Sequence, residues 1–161
     1  MLALLAVASS AAAQQRRGPV TDLPLPRFVS LNSDRVNVRV GPGSDYPVAW
    51  IYVRLGLPVE VVEEVDNWRK IRDSNGDEGW VFYSLLSGER TAIVAPNRSG
   101  PPLPLRAQAN ETARIVAYLD PGVQGSLESC RNGWCRLRGP GFNGWIPDEN
   151  LWGVYPNEAV D

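Results

Sequence analysis

A chain of 161 residues with 15 glycines, 14 prolines and 43% hydrophobic residues has the makeup of one or two small, turn-rich domains. Its 16 Lys and Arg against 18 Asp and Glu leave a net charge of −2, which excludes the broad basic field that gathers nucleic acid or anionic lipid. The absence of histidine removes Ser-His-Asp and Cys-His catalysis and histidine-based zinc sites, so neither a cofactor nor a metal is expected.

The chain opens on an apolar stretch, Met1 to Ala8, followed by the small residues Ser9 to Ala13. This reads as a secretory signal peptide over 1–13, cleaved after Ala13, and it is too short for a membrane span of about 20 residues. No Lys or Arg precedes the apolar stretch, which points either to a start further upstream or to an atypical signal. The exported chain is therefore expected in the periplasm or secreted, beginning with a flexible segment over 14–26.

From residue 27 strand patterns dominate. Val36 and Val38 alternate with Asn37 and Arg39, and Val59 and Val61 flank Glu60, each setting valines on one face. Trp68 to Ile71 and Gly79-Trp80-Val81 follow, separated by the turn Ser74-Asn75-Gly76-Asp77. Residues 27–94 form a first module on this reading. The Pro- and Gly-rich stretch 95–102 is a linker, 103–152 a second module, and 153–161 a tail that can lie across both. Cys130 and Cys135 flank the hairpin signal Asn132-Gly133, which places them opposite each other as a structural disulfide suited to an exported chain.

The two modules are copies of one pattern. Arg39 and Arg106 lie 67 residues apart, Gly56 and Gly122 lie 66 apart, as do Trp68 and Trp134, and Trp80 and Trp145 lie 65 apart. Short strands linked by Gly, Pro and Asn turns at this spacing make an all-β chain of two tandem small barrels. Gly56, Trp80, Gly122, Trp134 and Trp145 are its structural anchors. The recurrence of Arg39 as Arg106 points to a frame role such as bonding a loop carbonyl.

The segment Arg35-Val36-Asn37-Val38-Arg39-Val40-Gly41-Pro42-Gly43, with Tyr46, Pro47, Gly56, Trp68 and Gly79-Trp80, resembles the bacterial SH3-like (SH3b) domain. It is closest to envelope proteins carrying two such modules in tandem. The resemblance covers residues 27 to 152, and the second copy departs from it where Ala107-Gln108-Ala109-Asn110 replaces Gly-Pro-Gly. It implies SH3-like β-barrels that recognise cell-wall peptides or proteins, usually beside a catalytic domain.

Such barrels bind extended ligands between aromatic loops. A groove lined by Tyr46, Trp50, Trp68 and Tyr83, with Arg39 or Arg69 holding a ligand carboxylate, is the expected site; the alternative is that these rings fill contacts between the modules. Glu63-Glu64, Asp73, Asp77 and Glu78 read as a solvated face, not a catalytic pair, and Asp73 to Glu78 as a polar hairpin turn. Gly41-Pro42-Gly43 is a turn without a following helix to hold phosphate. The chain is therefore expected to be a non-catalytic recognition module for peptidoglycan peptides or an envelope protein. A structural or assembly scaffold is the second reading, and a cell-wall hydrolase accessory or enzyme the third.

Overall fold

Alternation along Val36-Asn37-Val38-Arg39 becomes an inner and an outer face: both valines are fully buried and Asn37 is exposed. The computed structural model describes residues 15–161; the expected signal peptide lies outside them. The described chain is all-β and forms two seven-stranded sheets. The first contains β1 (Arg27–Leu31), β2 (Val36–Arg39), β3 (Val48–Tyr52), β4 (Pro58–Val65), β5 (Trp68–Arg72), β6 (Glu78–Phe82) and β7 (Leu86–Ser87). The second contains β8 (Thr91–Val94), β9 (Leu103–Arg106), β10 (Ile115–Leu119), β11 (Gln124–Arg131), β12 (Trp134–Gly139), β13 (Phe142–Pro147) and β14 (Leu151–Trp152). Strand order is β3-β2-β6-β5-β4-β1-β7 in one and β10-β9-β13-β12-β11-β8-β14 in the other, the same topology twice. Each curled sheet wraps its own core, built on Leu31, Val36, Val38, Val59, Val61 and Ile71 in the first and on Val94, Leu105, Leu137 and Ile146 in the second.

Three expected boundaries move. Thr91–Val94 pairs with β11 and β14, so the second module begins at β8 and residues 95–102 are a loop inside it, not a linker between modules. Hydrogen bonding confirms the equivalence of β1 and β8: Gly56 N–H donates to Leu31 O (2.8 Å), as Gly122 N–H donates to Val94 O (2.7 Å). Both glycines adopt positive φ, +74° and +90°, where a side chain would be strained. Residues 16–25, expected to be flexible, fold against the first module, with Arg17 bridged to Pro24 and Leu25 buried.

The tail crosses from the second module to the first. Trp152 Nε1 donates to Pro58 O (3.0 Å), and its ring meets Phe28 edge-on at 5.0 Å. Tyr155 packs on the same Phe28 at 4.7 Å, and its hydroxyl donates to Glu60 Oε1 (2.9 Å). Burial and that carboxylate hold the Tyr155 phenol well above its ordinary pKa. Thr91 Oγ1 donates to Gly56 O (2.7 Å), and Gln124 Nε2 to Leu55 O (3.1 Å). Cys130 and Cys135 face each other across the β11–β12 hairpin and form a disulfide.

Two outcomes follow from these contacts. The modules unfold as one transition in calorimetry, and a Trp152→Ala/Tyr155→Ala variant separates it into two; two transitions in the unaltered chain would contradict the coupling. Opening the short disulfide loop by Cys130→Ser/Cys135→Ser lowers stability by about 2 kcal/mol in a urea titration.

Candidate functional site

The six expected site residues do not converge on one groove. Arg39 Nη1 donates to Tyr46 O (2.7 Å), and Arg106 Nη1 donates to Ala113 O (2.9 Å) seven residues along its own chain, the same bond in both copies. This is the frame role that the recurrence indicated. Tyr46 is 46% exposed, and its ring covers Gly41, where a Cβ would lie 2.4 Å from ring carbons. Trp50 turns inward onto the first core, and Gly79 leaves room for its ring tip, which would lie 3.1 Å from a Cβ there. Nor do these rings fill the contact between modules, which Phe28, Trp152 and Tyr155 supply.

Trp68 and Tyr83 do come together, through a residue that the sequence reading passed over. Trp68 stands opposite Phe82 in the β5–β6 ladder with rings 5.5 Å apart, and Phe82 lies 5.1 Å from Tyr83. The period-two alternation from Trp80 to Phe82 carries that signal, since both fall on the outer face. Trp80, an anchor on that face, is buried opposite Arg39 and Lys70. Its counterpart Trp145 stands opposite Arg106 and Arg136, with the Arg131 guanidinium 4.7 Å from its ring centre. Trp134 faces Pro147 where Trp68 faces Phe82, so the aromatic cluster belongs to the first copy.

Beside this cluster a pocket of about 350 Å³ opens between the N-terminal segment and the first barrel. Tyr83 stands at its edge, half exposed; Leu23, Phe28 and Leu86 give it apolar walls, and Arg27 and Arg69 supply cationic groups. Both arginines hold Glu64, at 3.0 Å from Arg27 Nη2 and 3.7 Å from Arg69 Nε. Arg69 Nη1 also donates to Asp66 O and Trp68 O, so much of its hydrogen-bonding capacity serves the fold.

Glu64 is not on a solvated face, contrary to expectation: its side chain is fully buried. Its carboxylate accepts the Val20 and Thr21 amides (3.0 Å each) and the Thr21 hydroxyl (2.6 Å), which pins the N-terminal segment over the barrel. Burial alone would raise its pKa. The Thr21 hydroxyl, the two amides and Arg27 outweigh burial together and hold it at about 2. Asp73 is likewise buried, its Oδ1 accepting the Asn75 and Asp77 amides inside the expected hairpin turn and its Oδ2 the Tyr52 hydroxyl. No group of His, Cys, Asp and Glu among the described residues is arranged to hold a metal ion. None of their helices is long and apolar enough to cross a membrane.

A two-fold copy also exposes what differs. Glu64 pairs with Arg69 one rung before the turn of β4–β5, and Cys130 pairs with Cys135 at the same rung of β11–β12. Glu64 receives the N-terminal segment; Cys130 receives the tail through a two-way backbone bridge to Val160. An ion pair in one barrel and a disulfide in the other thus occupy one structural position.

Because Glu64 has a lowered pKa in the fold, its contribution is full above its ordinary value of about 4.5 and is lost as pH falls toward 2. The stability difference between the protein and Glu64→Gln is accordingly about 3 kcal/mol at neutral pH and shrinks over that window in denaturant titrations. A difference independent of pH would refute the assignment.

Comparison with known proteins places these modules in context. The model of the bacterial SH3 domain matches residues 32–88 and 99–153. YrvJ of Bacillus subtilis (strain 168), named as a candidate N-acetylmuramoyl-L-alanine amidase, is 26% identical over 136 residues. That match covers 80% of this chain but 26% of YrvJ, so the chain spans about a quarter of that relative's length. Among solved structures, NlpC2 from Trichomonas vaginalis is 12% identical, over 78% of this chain and 47% of its own, with a TM-score of 0.37. An NlpC/P60 family protein from Bacillus cereus is 14% identical, over 78% and 55%, with a TM-score of 0.35. Both structural likenesses are too distant to carry weight.

Proposed function

The chain belongs to the bacterial SH3 domain family, carrying two of its modules, and on that premise we propose that it is a non-catalytic recognition module that binds peptidoglycan peptides outside the cytoplasm. The observation that carries this reading is the pocket of the first module. A half-exposed tyrosine, apolar walls and two guanidinium groups around a single carboxylate leave an excess positive charge beside an apolar recess. That combination suits a short peptide with a small apolar side chain and a carboxylate, because arginine pairs well with carboxylates. The amidase name of the Bacillus subtilis relative supports a setting in the cell wall. The disulfide supports an oxidising compartment, where such bonds persist.

Binding without turnover is consistent with the chemistry present. The carboxylate behind the pocket's arginines, Glu64, is enclosed by five donors and stays ionised far below neutral pH, so it is poorly placed to exchange protons with a ligand.

Co-sedimentation with purified cell-wall sacculi tests the proposal. The protein pellets saturably, and Tyr83→Ala weakens pelleting about tenfold, a loss typical of one aromatic contact at a binding site. Tyr46→Ala, outside the pocket lining, leaves pelleting unchanged. Failure to pellet, or equal loss in the two variants with both folded, would overturn the assignment of this pocket.

A further inference from the structure

Exposed apolar side chains concentrate on two strands. Of the twelve large hydrophobic residues exposed among the described residues, eight lie in or beside β3 and β10, including Val53 at 73%, Leu55 at 60% and Tyr118 at 64%. Patches of this kind mark interaction surfaces. β3 and β10 are the equivalent end strands of their sheets, and no described strand pairs with their outer edges. Neither strand contains a charged residue. The opposite sheet edges, β7 and β14, are only two residues long, one of the ways natural sheets suppress edge pairing. Bulges interrupt β3 at Ala49 and β10 at Val116, which leaves the later halves of both strands regular.

Those later halves converge. Arg54, just after β3, donates through Nη2 to Gly122 O (3.1 Å), and Arg54, Tyr118 and Asp120 line one cleft between the modules. Both strands therefore run toward the same seam, with apolar side chains exposed along each. Four charged residues flank the two strands. From one end to the other they are Asp45, Arg54, Asp120 and Arg114, alternating negative, positive, negative, positive. All four are exposed, and none forms an ion pair among the described residues.

We propose that the two edges form one strip, a self-association surface on which a second copy of the chain docks about a two-fold axis through the seam. A two-fold axis there reverses the order of charges, so every position meets its opposite. Asp45 faces the partner's Arg114, Arg54 faces the partner's Asp120, and both pairs occur twice, as an isologous interface requires. β3 then runs beside β10 of the other copy in the same direction. Burial of the apolar strip drives association; the charges select the partner and the register, which is what interface charges do best. The surface is distinct from the Tyr83 pocket and does not rest on the wall-binding reading.

Sedimentation equilibrium of the chain from micromolar to millimolar concentration tests this. A monomer–dimer equilibrium that weakens with added salt is expected. Reversing the β3 charges (Asp45→Arg/Arg54→Asp) brings like charges together and weakens the dimer at least tenfold, and Arg114→Asp/Asp120→Arg does the same. Combining all four substitutions restores complementarity and the dimer. Val53→Lys weakens the dimer independently, with circular dichroism confirming the fold of every variant. A monomer at all concentrations overturns the proposal. So does an unweakened dimer after the β3 reversal, because β3 lying antiparallel on β3 of the other copy would survive that exchange. Failure of the four-charge variant to recover would also overturn it.

Discussion

Glu60 is a carboxylate buried between two barrels, and the arrangement of the whole chain depends on how it is satisfied. A buried charge without partners is costly enough to prevent folding around it. Here Arg72 donates to Oε2 at 2.8 Å from within the first module, and the Tyr155 hydroxyl donates to Oε1 at 2.9 Å from the tail of the second. Half of the requirement is thus met only when the tail is in place. The tail is in turn fixed from behind: Arg90 holds Glu158 through both carboxylate oxygens and donates to Gly153 O, while its guanidinium lies 5.9 Å over the Phe28 ring. This acid of the first module, with the bonds from Trp152, Thr91 and Gln124, therefore makes the relation between the barrels definite, which a bare loop between small domains would not do.

Each barrel of this size buries a limited core, and the chain compensates by wrapping its ends. The N-terminal segment closes over Glu64 in the first copy, and the tail bridges Cys130 in the second. These are two solutions to one need, at one rung of the ladder. The end of the long hairpin leaves a strand edge that some segment must cover. In one copy the ion-paired Glu64 carboxylate fixes the cover by accepting its amides. In the other a covalent bond stiffens the hairpin, and the cover needs backbone bonds alone. Wrapping also creates the candidate site, because Thr21 and Leu23 form one wall of the Tyr83 pocket.

The architecture was legible in the sequence because its anchors are backbone and core necessities. Gly56 and Gly122 must take positive φ, Val36 and Val38 must alternate, and Asn132-Gly133 must turn. Such constraints act locally and leave a local trace. The first strand of the second module, Thr91–Val94, left none: it is recognised as the counterpart of β1 by what it bonds to, and its side chains share no motif with Arg27–Leu31. The site was harder still. Trp50 reads like a loop aromatic, but the bulge at Ala49 and the space over Gly79 send it inward. Glu64 reads like one of two surface acids, and only segments more than forty residues away, at Val20 and Thr21, show that it is a buried hub.

A tandem repeat offers its own way to separate frame from function. Side chains that make the same bond in both copies hold the barrel, as Arg39 and Arg106 do. Differences at matched positions mark what each copy does alone. Tyr83 opens a single 3-10 turn, Tyr83–Leu85, and Asp148 opens the equivalent turn, Asp148–Asn150. The Asp148 carboxylate is committed to the tail, accepting the Asn157 amide at 2.7 Å. Tyr83 is half exposed, extends the Trp68–Phe82 cluster and makes no side-chain hydrogen bond among the described residues. Where one copy uses this position to fasten its own chain, the other leaves an aromatic ring facing solvent beside a pocket. Fastening explains the aspartate, while the tyrosine packs on Phe82 with half its surface exposed, and the proposed recognition by the first barrel rests on that asymmetry.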